Sequence, residues 1–445
     1  MTTIFAPITS INQNGVCVIR ISGDNTINCL RELGIDTNKI KNRFSHLHNI
    51  IIDNELIDNS LITYFKSPNS YTGEDIAEIS IHASPYIYTI ISAKLSTINN
   101  VRIAEAGEFS KRAFINNKID LIKAESVVDL ISSETKIQHQ QAIRQYSGKV
   151  SNIYQAIRHN IISALSKIEA LIDFPEDDIP SSIIDDINNI VFKIINEINS
   201  IINDNNIGQK IKKGLQIVII GQPNVGKSTL INFLSNDNIA ITSDISGTTR
   251  DVISSYINIE DIPINLFDTA GIRKTNNKIE SEGIKRAINK ADDSDLKIIV
   301  IDPSKNLSND IIKLIDHNSL ILINKIDNSN NDEIMDKIKF ISNYCENIIE
   351  ISLRNEVNIA SIKPKIAKLL KNKFNNINSS IITSQRHRSC LIKSIIHLNN
   401  FNLNKNIEIA AEDLRLAAHE ISVITGSINI DNILDEIFSK FCIGK

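Results

Sequence analysis

The sequence contains only five cysteines among its 445 residues, and they lie far apart at Cys17, Cys29, Cys345, Cys390 and Cys442. There is no C-x-x-C pair and no even framework, so the pattern argues against structural zinc and favours a reducing compartment. Apolar runs near the roughly 18 residues of a membrane span are also missing. The N-terminus, MTTIFAPITS, lacks the features of a signal or transit peptide. We therefore predict a cytoplasmic protein that does not enter the membrane.

An excess of positive charge is lacking as well, because 48 Lys and Arg residues stand against 52 Asp and Glu residues and the net charge is −4. No global positive field attracts nucleic acid, so contact with RNA requires a local patch or a partner protein. The length exceeds that of one ordinary hydrophobic core. Two or three domains are therefore expected.

Four segments differ in their hydrophobic periodicity. Residues 1–118 mix β-like runs with helical stretches and predict a small α+β domain. Residues 119–212 are helical behind the potential N-cap Asp120, and two prolines predict a turn within 173–180. Residues 213–374 alternate apolar strands with helices, as in a mainly parallel, doubly wound sheet. Residues 375–445 are helical again, so the α/β domain is predicted to interrupt a discontinuous helical domain.

The strongest local motif is Gly221-Gln222-Pro223-Asn224-Val225-Gly226-Lys227-Ser228, which fits G-x-x-x-x-G-K-[ST] between an apolar strand and a helical run. In such a loop the backbone N–H groups surround the phosphates, Lys227 reaches the β- and γ-phosphates, and the Ser228 hydroxyl ligates Mg²⁺. A P-loop nucleotide site is predicted here. The residues assigned to it are Asn224, Val225, Gly226, Lys227, Ser228 and Thr229.

Further elements follow in the order found in GTP-binding proteins. Thr249 is expected to complete the Mg²⁺ shell, and Asp268 begins a D-x-x-G motif after a strand. In the N-K-x-D motif, Asp327 can accept the N–H groups on guanine N1 and N2, which adenine lacks. The residues assigned to GTP in these elements are Ser243, Asp244, Ile245, Ser246, Gly247, Thr248, Thr249, Asp268, Thr269, Ala270, Gly271, Asn324, Lys325, Asp327, Ser352, Leu353 and Arg354.

The residue after D-x-x-G is Ile272, where Ras-like GTPases have a glutamine that orients the attacking water. Isoleucine cannot polarise water, so either hydrolysis is negligible or other groups position the nucleophile. Arg273, Glu280 and Glu282 are within reach by sequence, and Asn224 could ligate an added monovalent cation. Spacing alone leaves these alternatives open.

With the nucleotide motifs, several other segments resemble one family closely, the tRNA-modifying GTPases MnmE, also called TrmE. The resemblance covers essentially the whole chain. It rests on Val18-Ile19-Arg20-Ile21-Ser22-Gly23, Asn69-Ser70-Tyr71-Thr72-Gly73-Glu74-Asp75, Gly107-Glu108-Phe109-Ser110, Arg112-Ala113-Phe114, Asp173-Phe174-Pro175 and Phe441-Cys442-Ile443-Gly444-Lys445.

The resemblance implies a Ras-like GTPase domain inserted in a helical domain, behind an N-terminal folate-binding and dimerisation domain. It also implies a homodimer and a heterotetramer with MnmG (GidA), a partner that carries FAD. Together they add a (carboxymethyl)aminomethyl group to carbon 5 of the wobble uridine in certain tRNAs. The one-carbon donor is 5,10-methylenetetrahydrofolate or 5-formyltetrahydrofolate.

By the same resemblance, four residues match folate-contacting positions: Arg20, Glu78, Lys118 and Lys445. The expected K⁺ ligands are Asn224, Ser243, Ile245 and Thr248, while Glu280 positions water and Cys442 takes an undefined catalytic part. The rival interpretation is a ribosome-assembly or checkpoint GTPase, which shares the nucleotide motifs but needs no folate pocket. Such proteins usually carry an additional basic RNA-binding domain, and a net charge of −4 argues against one here.

Overall fold

The computed structural model describes residues 2–12, 15–173, 181–204, 206–236, 255–268, 294–374, 381–404 and 406–427, with residues 434, 437, 438, 441 and 444. The chain divides into two compact units. The first comprises Met1–Ile131, Arg144–Ile195 and Cys390–Lys445, and the second comprises Ser132–Ile143 and Asn196–Ser389. No helix within the described ranges is both long and apolar enough to cross a bilayer. The domain boundaries predicted after residues 118, 212 and 374 stay a prediction.

The strands and helices of the described ranges are numbered in chain order. The strands are β1 (Thr3–Pro7), β2 (Val16–Ser22), β3 (Ser45–Ile52), β4 (Glu55–Phe65), β5 (Ile76–His82), β6 (Val101–Ile103), β7 (Leu215–Ile220), β8 (Ser255–Ile259), β9 (Ile262–Asp268), β10 (Leu296–Ile301), β11 (Leu320–Asn324) and β12 (Ile348–Ile351). The helices are α1 (Thr26–Glu32), α2 (Pro85–Ser96), α3 (Glu108–Ile115), α4 (Leu121–Ile131), α5 (Lys136–Tyr146), α6 (Lys149–Asp173), α7 (Ser181–Ile202), α8 (Ile207–Lys213), α9 (Lys227–Asn236), α10 (Asn309–Ile312), α11 (Asn331–Ser342), α12 (Ile362–Lys373), α13 (Gln385–Asn400) and α14 (Ile407–Thr425).

The first unit is built on a six-stranded sheet in the order β3-β4-β5-β2-β1-β6. Neighbouring strands are antiparallel except for β1 and β6, which are parallel. Successive side chains of a strand point to opposite faces. Ile79 and Ile81 of β5 therefore join Leu30 of α1 and Leu95 of α2 in one core. On the other face, Glu78 lies opposite Arg20 of β2.

The helical part of this unit centres on α6 and α14, which pack along each other. The apolar stripe of α14 is buried, including Leu414 and Ile421, and Gly426 ends the helix in a left-handed conformation at φ 78°. Gly is favoured there because it has no Cβ to clash. Arg158 Nε donates to Ser422 Oγ at 2.7 Å, which ties the two helices laterally.

The predicted N-cap at Asp120 is confirmed, because its Oδ1 accepts a hydrogen bond from the N–H of Lys123 at 2.7 Å. One expectation was wrong: the helical segment behind it is not continuous up to residue 173. It breaks at 132–135 and again at 147–148, between α4, α5 and α6. At the second break Gly148 has φ 81°, outside the range that a helix allows.

The second unit contains the predicted mainly parallel sheet, in the order β12-β11-β10-β7-β9-β8, with only β8 antiparallel among these strands. The central strands β7, β10 and β11 are apolar except for Gln216, Lys297 and Asn324, because helices cover both faces. Ile217 packs with Leu230 of α9 on one face. Val218 packs with Ile341 of α11 on the other. The multidomain α/β and α fold class is therefore confirmed, and ligands of such a sheet bind beyond the carboxyl ends of its strands.

Candidate functional site

A cavity of about 710 Å³ lies beyond the carboxyl ends of β7, β11 and β12. Three loops form it, one after each strand. Its lining residues are Pro223, Asn224, Gly226, Lys227, Ser228, Thr229, Asn324, Lys325, Asp327, Asn328, Leu353 and Arg354. Ten of these twelve were assigned to GTP from the sequence, and they come from all three described motifs, so the fold brings distant motifs into one pocket.

The loop after β7 wraps tightly before α9 begins at Lys227. Gly226 has φ 108°, and a Cβ at this position would collide with the side-chain amide nitrogen of Asn324. Lys227 is 7% exposed, and its Nζ donates to the carbonyls of Gly221 at 2.9 Å and Gln222 at 2.8 Å. The lysine is therefore positioned across the mouth of its own loop, where phosphate oxygens are recognised.

Asn324, at the end of β11, joins the three loops through one buried amide. Its Nδ2 donates to the carbonyl of Val225 at 2.7 Å, and its Oδ1 accepts from the N–H of Leu353 at 3.0 Å. The residue is 3% exposed. The amide nitrogen thus holds the phosphate loop, and the amide oxygen holds the loop after β12.

Asp327 and Ser352 also belong together. The hydroxyl of Ser352 donates to Asp327 Oδ1 at 2.5 Å, which fixes the carboxylate and leaves Oδ2 for a ligand. A carboxylate that lines a cavity and has one oxygen held suits a pair of adjacent N–H donors. Ser352 is fully buried, so it holds Asp327 from the protein interior.

Sequence reasoning missed Asp302, which directly follows β10. Its Oδ2 accepts from Lys325 Nζ at 2.9 Å, and its Oδ1 accepts from the hydroxyl of Ser304 at 2.6 Å. Burial by itself raises the pKa of Asp302, but these hydrogen bonds and the Lys325 charge outweigh it and hold the pKa below its usual value. The available signal was an aspartate immediately after an apolar parallel strand.

Several predicted residues lie outside the described part of the chain. They are Ser243, Asp244, Ile245, Ser246, Gly247, Thr248, Thr249, Thr269, Ala270, Gly271, Ile272, Arg273, Glu280, Glu282, Cys442 and Lys445. The backbone of Asp268 is described, and it pairs with Ile219 near the end of β7. The start of the D-x-x-G motif therefore lies beside the phosphate loop.

The first unit holds a second group of predicted residues. Arg20 donates from Nε at 3.0 Å and from Nη2 at 2.8 Å to Glu78 Oε1. The Arg20 guanidinium lies over the rings of Tyr71 and Phe109, 5.2 and 5.5 Å from their centroids. Two neighbouring strands and two aromatic rings thus fix one cation–carboxylate pair, with Glu78 more accessible than Arg20.

Lys118 does not join that pair through any contact found in the described residues. It lines a cavity of about 590 Å³ whose lining includes Asp24, Glu74 and Asp75 but neither Arg20 nor Glu78. Glu74 links this cavity to β2, because it lines the cavity and accepts a hydrogen bond from Ser22 Oγ at 2.7 Å. It also accepts one from Arg112 at 3.1 Å. Ser22 is two residues beyond Arg20 on β2.

In the sequence Arg112 is only one residue of a motif, whereas in the structure it makes defined ion pairs. It is 5% exposed and bridges Glu74 to Glu108, whose Oε1 accepts from Nη2 at 2.9 Å. Burial raises the pKa of Glu108, but hydrogen bonds from Arg102, Glu105 N–H and Arg112 together lower it. The Glu108 carboxylate therefore stays charged, and through Arg112 it helps to hold Glu74 in the segment that carries Tyr71.

The described part of the C-terminus reaches the same sheet. Gly444 has φ 100°, and a Cβ on it would collide with the carbonyl oxygen of Pro7. Pro7 pairs with Ile19, the neighbour of Arg20, on adjacent strands. The chain end thus passes close to the strand that carries Arg20, and only glycine fits this approach.

Comparison with known proteins gives two family matches. The family "GTP-binding protein TrmE N-terminus" matches residues 3–118, and the family "MnmE helical domain" matches residues 121–442. Proteins named "tRNA modification GTPase MnmE" from Rickettsia typhi and Rickettsia prowazekii are each 44% identical over 451 residues, covering all of both chains. A GTP-binding protein from Sulfolobus solfataricus in complex with GDP is 19% identical, covers 61% of this chain and 80% of its own, and has a TM-score of 0.28.

Proposed function

Because the chain belongs to the MnmE family of tRNA modification GTPases, we propose that it adds a (carboxymethyl)aminomethyl group to carbon 5 of the wobble uridine of certain tRNAs. It is a GTP hydrolase, and the modification is proposed to need a flavin-dependent partner that carries FAD. The proposal includes a homodimer, a heterotetramer with MnmG, and a cytoplasmic site of action. The observation that carries it is the joint presence of a guanine-nucleotide pocket and a braced Arg20–Glu78 pair in one chain.

The residues of the large cavity fit GTP. Asp327 provides a carboxylate for the N1 and N2 donors of guanine, and Lys227 provides a cation at the phosphate loop. Ser228, in the first turn of α9, is proposed to hold Mg²⁺ together with Thr249. When bound, the metal neutralises negative charge on the phosphates. Discrimination against adenine follows from Asp327, which adenine leaves without donors.

Hydrolysis is proposed to depend on groups other than a glutamine, since Ile272 stands at the water-orienting position. Glu280 is proposed to orient water, and Asn224, Ser243, Ile245 and Thr248 are proposed K⁺ ligands. Asn224 fits this assignment because it lines the cavity and has φ 61°, a conformation that asparagine tolerates better than most residues. When bound, K⁺ supplies the positive charge that an arginine finger gives elsewhere.

The Arg20–Glu78 pair is proposed to bind reduced folate, either 5,10-methylenetetrahydrofolate or 5-formyltetrahydrofolate, with Lys118 and Lys445. The chemistry of the set fits: the Glu78 carboxylate suits the N–H edge of a pterin, and a lysine such as Lys118 or Lys445 suits the anionic glutamate tail. When bound, the folate supplies the one-carbon unit. Support for Lys445 comes from Gly444, which packs on Pro7 near the Arg20 strand. Cys442 is proposed to act in the modification chemistry.

The nucleoside composition of tRNA tests the modification. A strain that lacks this gene should lose the modified wobble uridine in mass spectrometry of digested tRNA. The wild-type chain and Asn328→Ala should restore the nucleoside, whereas Asp327→Asn should not. An unchanged profile in the deletion strain, with co-sedimentation of the protein and ribosomal subunits, would instead indicate a ribosome-assembly GTPase.

The rate of GTP hydrolysis in different salts tests the K⁺ assignment separately. At equal ionic strength, K⁺ should raise the rate far above the rate in Na⁺. Glu280→Ala should abolish turnover while GDP affinity stays within about threefold of wild type. Equal rates in K⁺ and Na⁺ would contradict the assignment of the cation ligands.

A further inference from the structure

The outer turn of the phosphate loop, Gln222 to Asn224, is held from outside by the loop that follows β10. Gln222 Nε2 donates to the carbonyl of Asn306 at 2.7 Å. Lys305 Nζ donates to the carbonyl of Pro223 at 3.1 Å. These contacts fix the two residues that precede Asn224, the residue proposed to ligate K⁺.

Asn224 itself is held by the loop after β11, residues 325–328, called the guanine-reading loop because it carries Asp327. Lys325 Nζ donates to the Asn224 carbonyl at 2.7 Å and to Asp302 Oδ2 at 2.9 Å. The Asp302 side chain is 5% exposed, and its other oxygen accepts from the N–H and the hydroxyl of Ser304 at 3.1 and 2.6 Å. The carboxylate is therefore rigidly placed, and two acceptors hold the Lys325 ammonium.

We propose that Asp302 is a positioning residue, which sets the Lys325 ammonium against the Asn224 carbonyl and so couples the guanine-reading loop to the outer turn of the phosphate loop. Asp302 does not line the described cavity, and it is not one of the residues assigned as ligands. Its effect passes through Lys325, and it holds Asn224 in the left-handed conformation at φ 61°. Nucleotide affinity and the response to K⁺ then depend on the same carboxylate.

Asp316 provides a matched control in the same unit. Its Oδ2 accepts from Lys297 Nζ at 3.0 Å, and its Oδ1 accepts from the hydroxyl of Ser319 at 2.8 Å and from the N–H of Asn318 at 3.0 Å. The lysine and hydroxyl partners therefore repeat those of Asp302. Lys297 lies at the amino-terminal end of β10, whereas the cavity lies at the opposite ends of the strands.

The experiment compares Asp302→Asn with Asp316→Asn in the full-length chain, using fluorescent GDP for affinity and a K⁺ titration of GTP hydrolysis. Asparagine keeps the shape but removes the charge that holds Lys325. Asp302→Asn should weaken GDP about tenfold and raise the K⁺ concentration for half-maximal hydrolysis. Asp316→Asn should change neither, although its thermal stability should fall. Ser304→Ala, which removes one hydrogen bond to Asp302, should weaken GDP about fivefold, and it provides the test if Asp302→Asn does not fold.

Wild-type GDP affinity in Asp302→Asn, or an equal loss in Asp316→Asn, would overturn the proposal, as would an unchanged affinity in Ser304→Ala. The K⁺ readout rests on the proposed function, whereas the GDP readout does not. If the wild-type chain shows no stimulation by K⁺, the K⁺ ligands are misassigned, and GDP affinity still decides the role of Asp302.

Discussion

Replacing Asn324 with alanine should separate the three loops of the nucleotide site. The substitution deletes both hydrogen bonds of the buried amide, and leaves the Val225 carbonyl and the Leu353 N–H without this partner. Each buried polar group that loses its partner costs about 1–3 kcal/mol. Water from the adjacent cavity recovers part of this cost, so a net loss of about 2–4 kcal/mol is expected.

This loss should fall mainly on nucleotide binding, because the amide organises loops that the nucleotide needs in register. At about 1.4 kcal/mol per tenfold change, GDP should bind roughly 30- to 1,000-fold more weakly. Fluorescent GDP titration measures the affinity, and urea denaturation of the same samples reports the share lost from the fold.

Asn328→Ala is the matched control. Asn328 lines the same cavity, but its side chain is exposed. Exposed substitutions usually change stability by about 0.5 kcal/mol or less, and Asn328 is not among the residues assigned to GTP, so GDP affinity should stay within about threefold. If Asn324→Ala also bound GDP within threefold of wild type, the amide would not be the connection between the loops, and the reasoning would be refuted.

Other substitutions test separate contacts. Asp327→Asn should weaken GTP by about 100-fold or more and improve binding of xanthosine triphosphate, which has an acceptor where guanine has a donor; undiminished GTP affinity in a competition assay would mean that the base contact is misassigned. Gly444→Ala should reduce wobble-uridine modification while GTP hydrolysis persists, because its Cβ would collide with Pro7; Gly15→Ala, where a Cβ meets nothing within 4 Å, is the control. Burial raises the pKa of Asp58, but hydrogen bonds, chiefly from His82, bring it below its ordinary value. Its carboxylate therefore stabilises the fold at neutral pH and loses that effect as pH falls through the folded-state pKa. Asp58→Asn should lower the melting temperature by roughly 2–5 °C at pH 7 and much less at pH 3 in thermal scans, and an equal drop at both values would contradict this.

Features that depend on neighbours in the chain were predictable. The apolar run of β7, the glycines of the following loop and the start of α9 at Lys227 follow one another within fifteen residues. Continuous apolar strands between helices predicted a parallel sheet, because both faces of such a sheet are covered. The breaks that separate α4, α5 and α6 were missed, since weak turn signals there were outweighed by the apolar periodicity.

Contacts between distant segments needed the fold. Asn324 reaches Val225, and Lys325 reaches Asp302, only because β7, β10 and β11 are neighbours in the sheet and end at the same edge. Strand order is a property of the whole chain, and no local pattern around Asp302 contains it.

The sequence by itself determined that this protein has a guanine-nucleotide site and which residue types serve it, because those motifs are fixed by local backbone geometry and ligand chemistry. Only the tertiary structure decided which side chains hold the site together. It paired Ser352 with Asp327, Arg20 with Glu78, and Gly444 with Pro7. The physical reason is that such pairs are set by strand register and close packing, which bring together residues far apart in sequence.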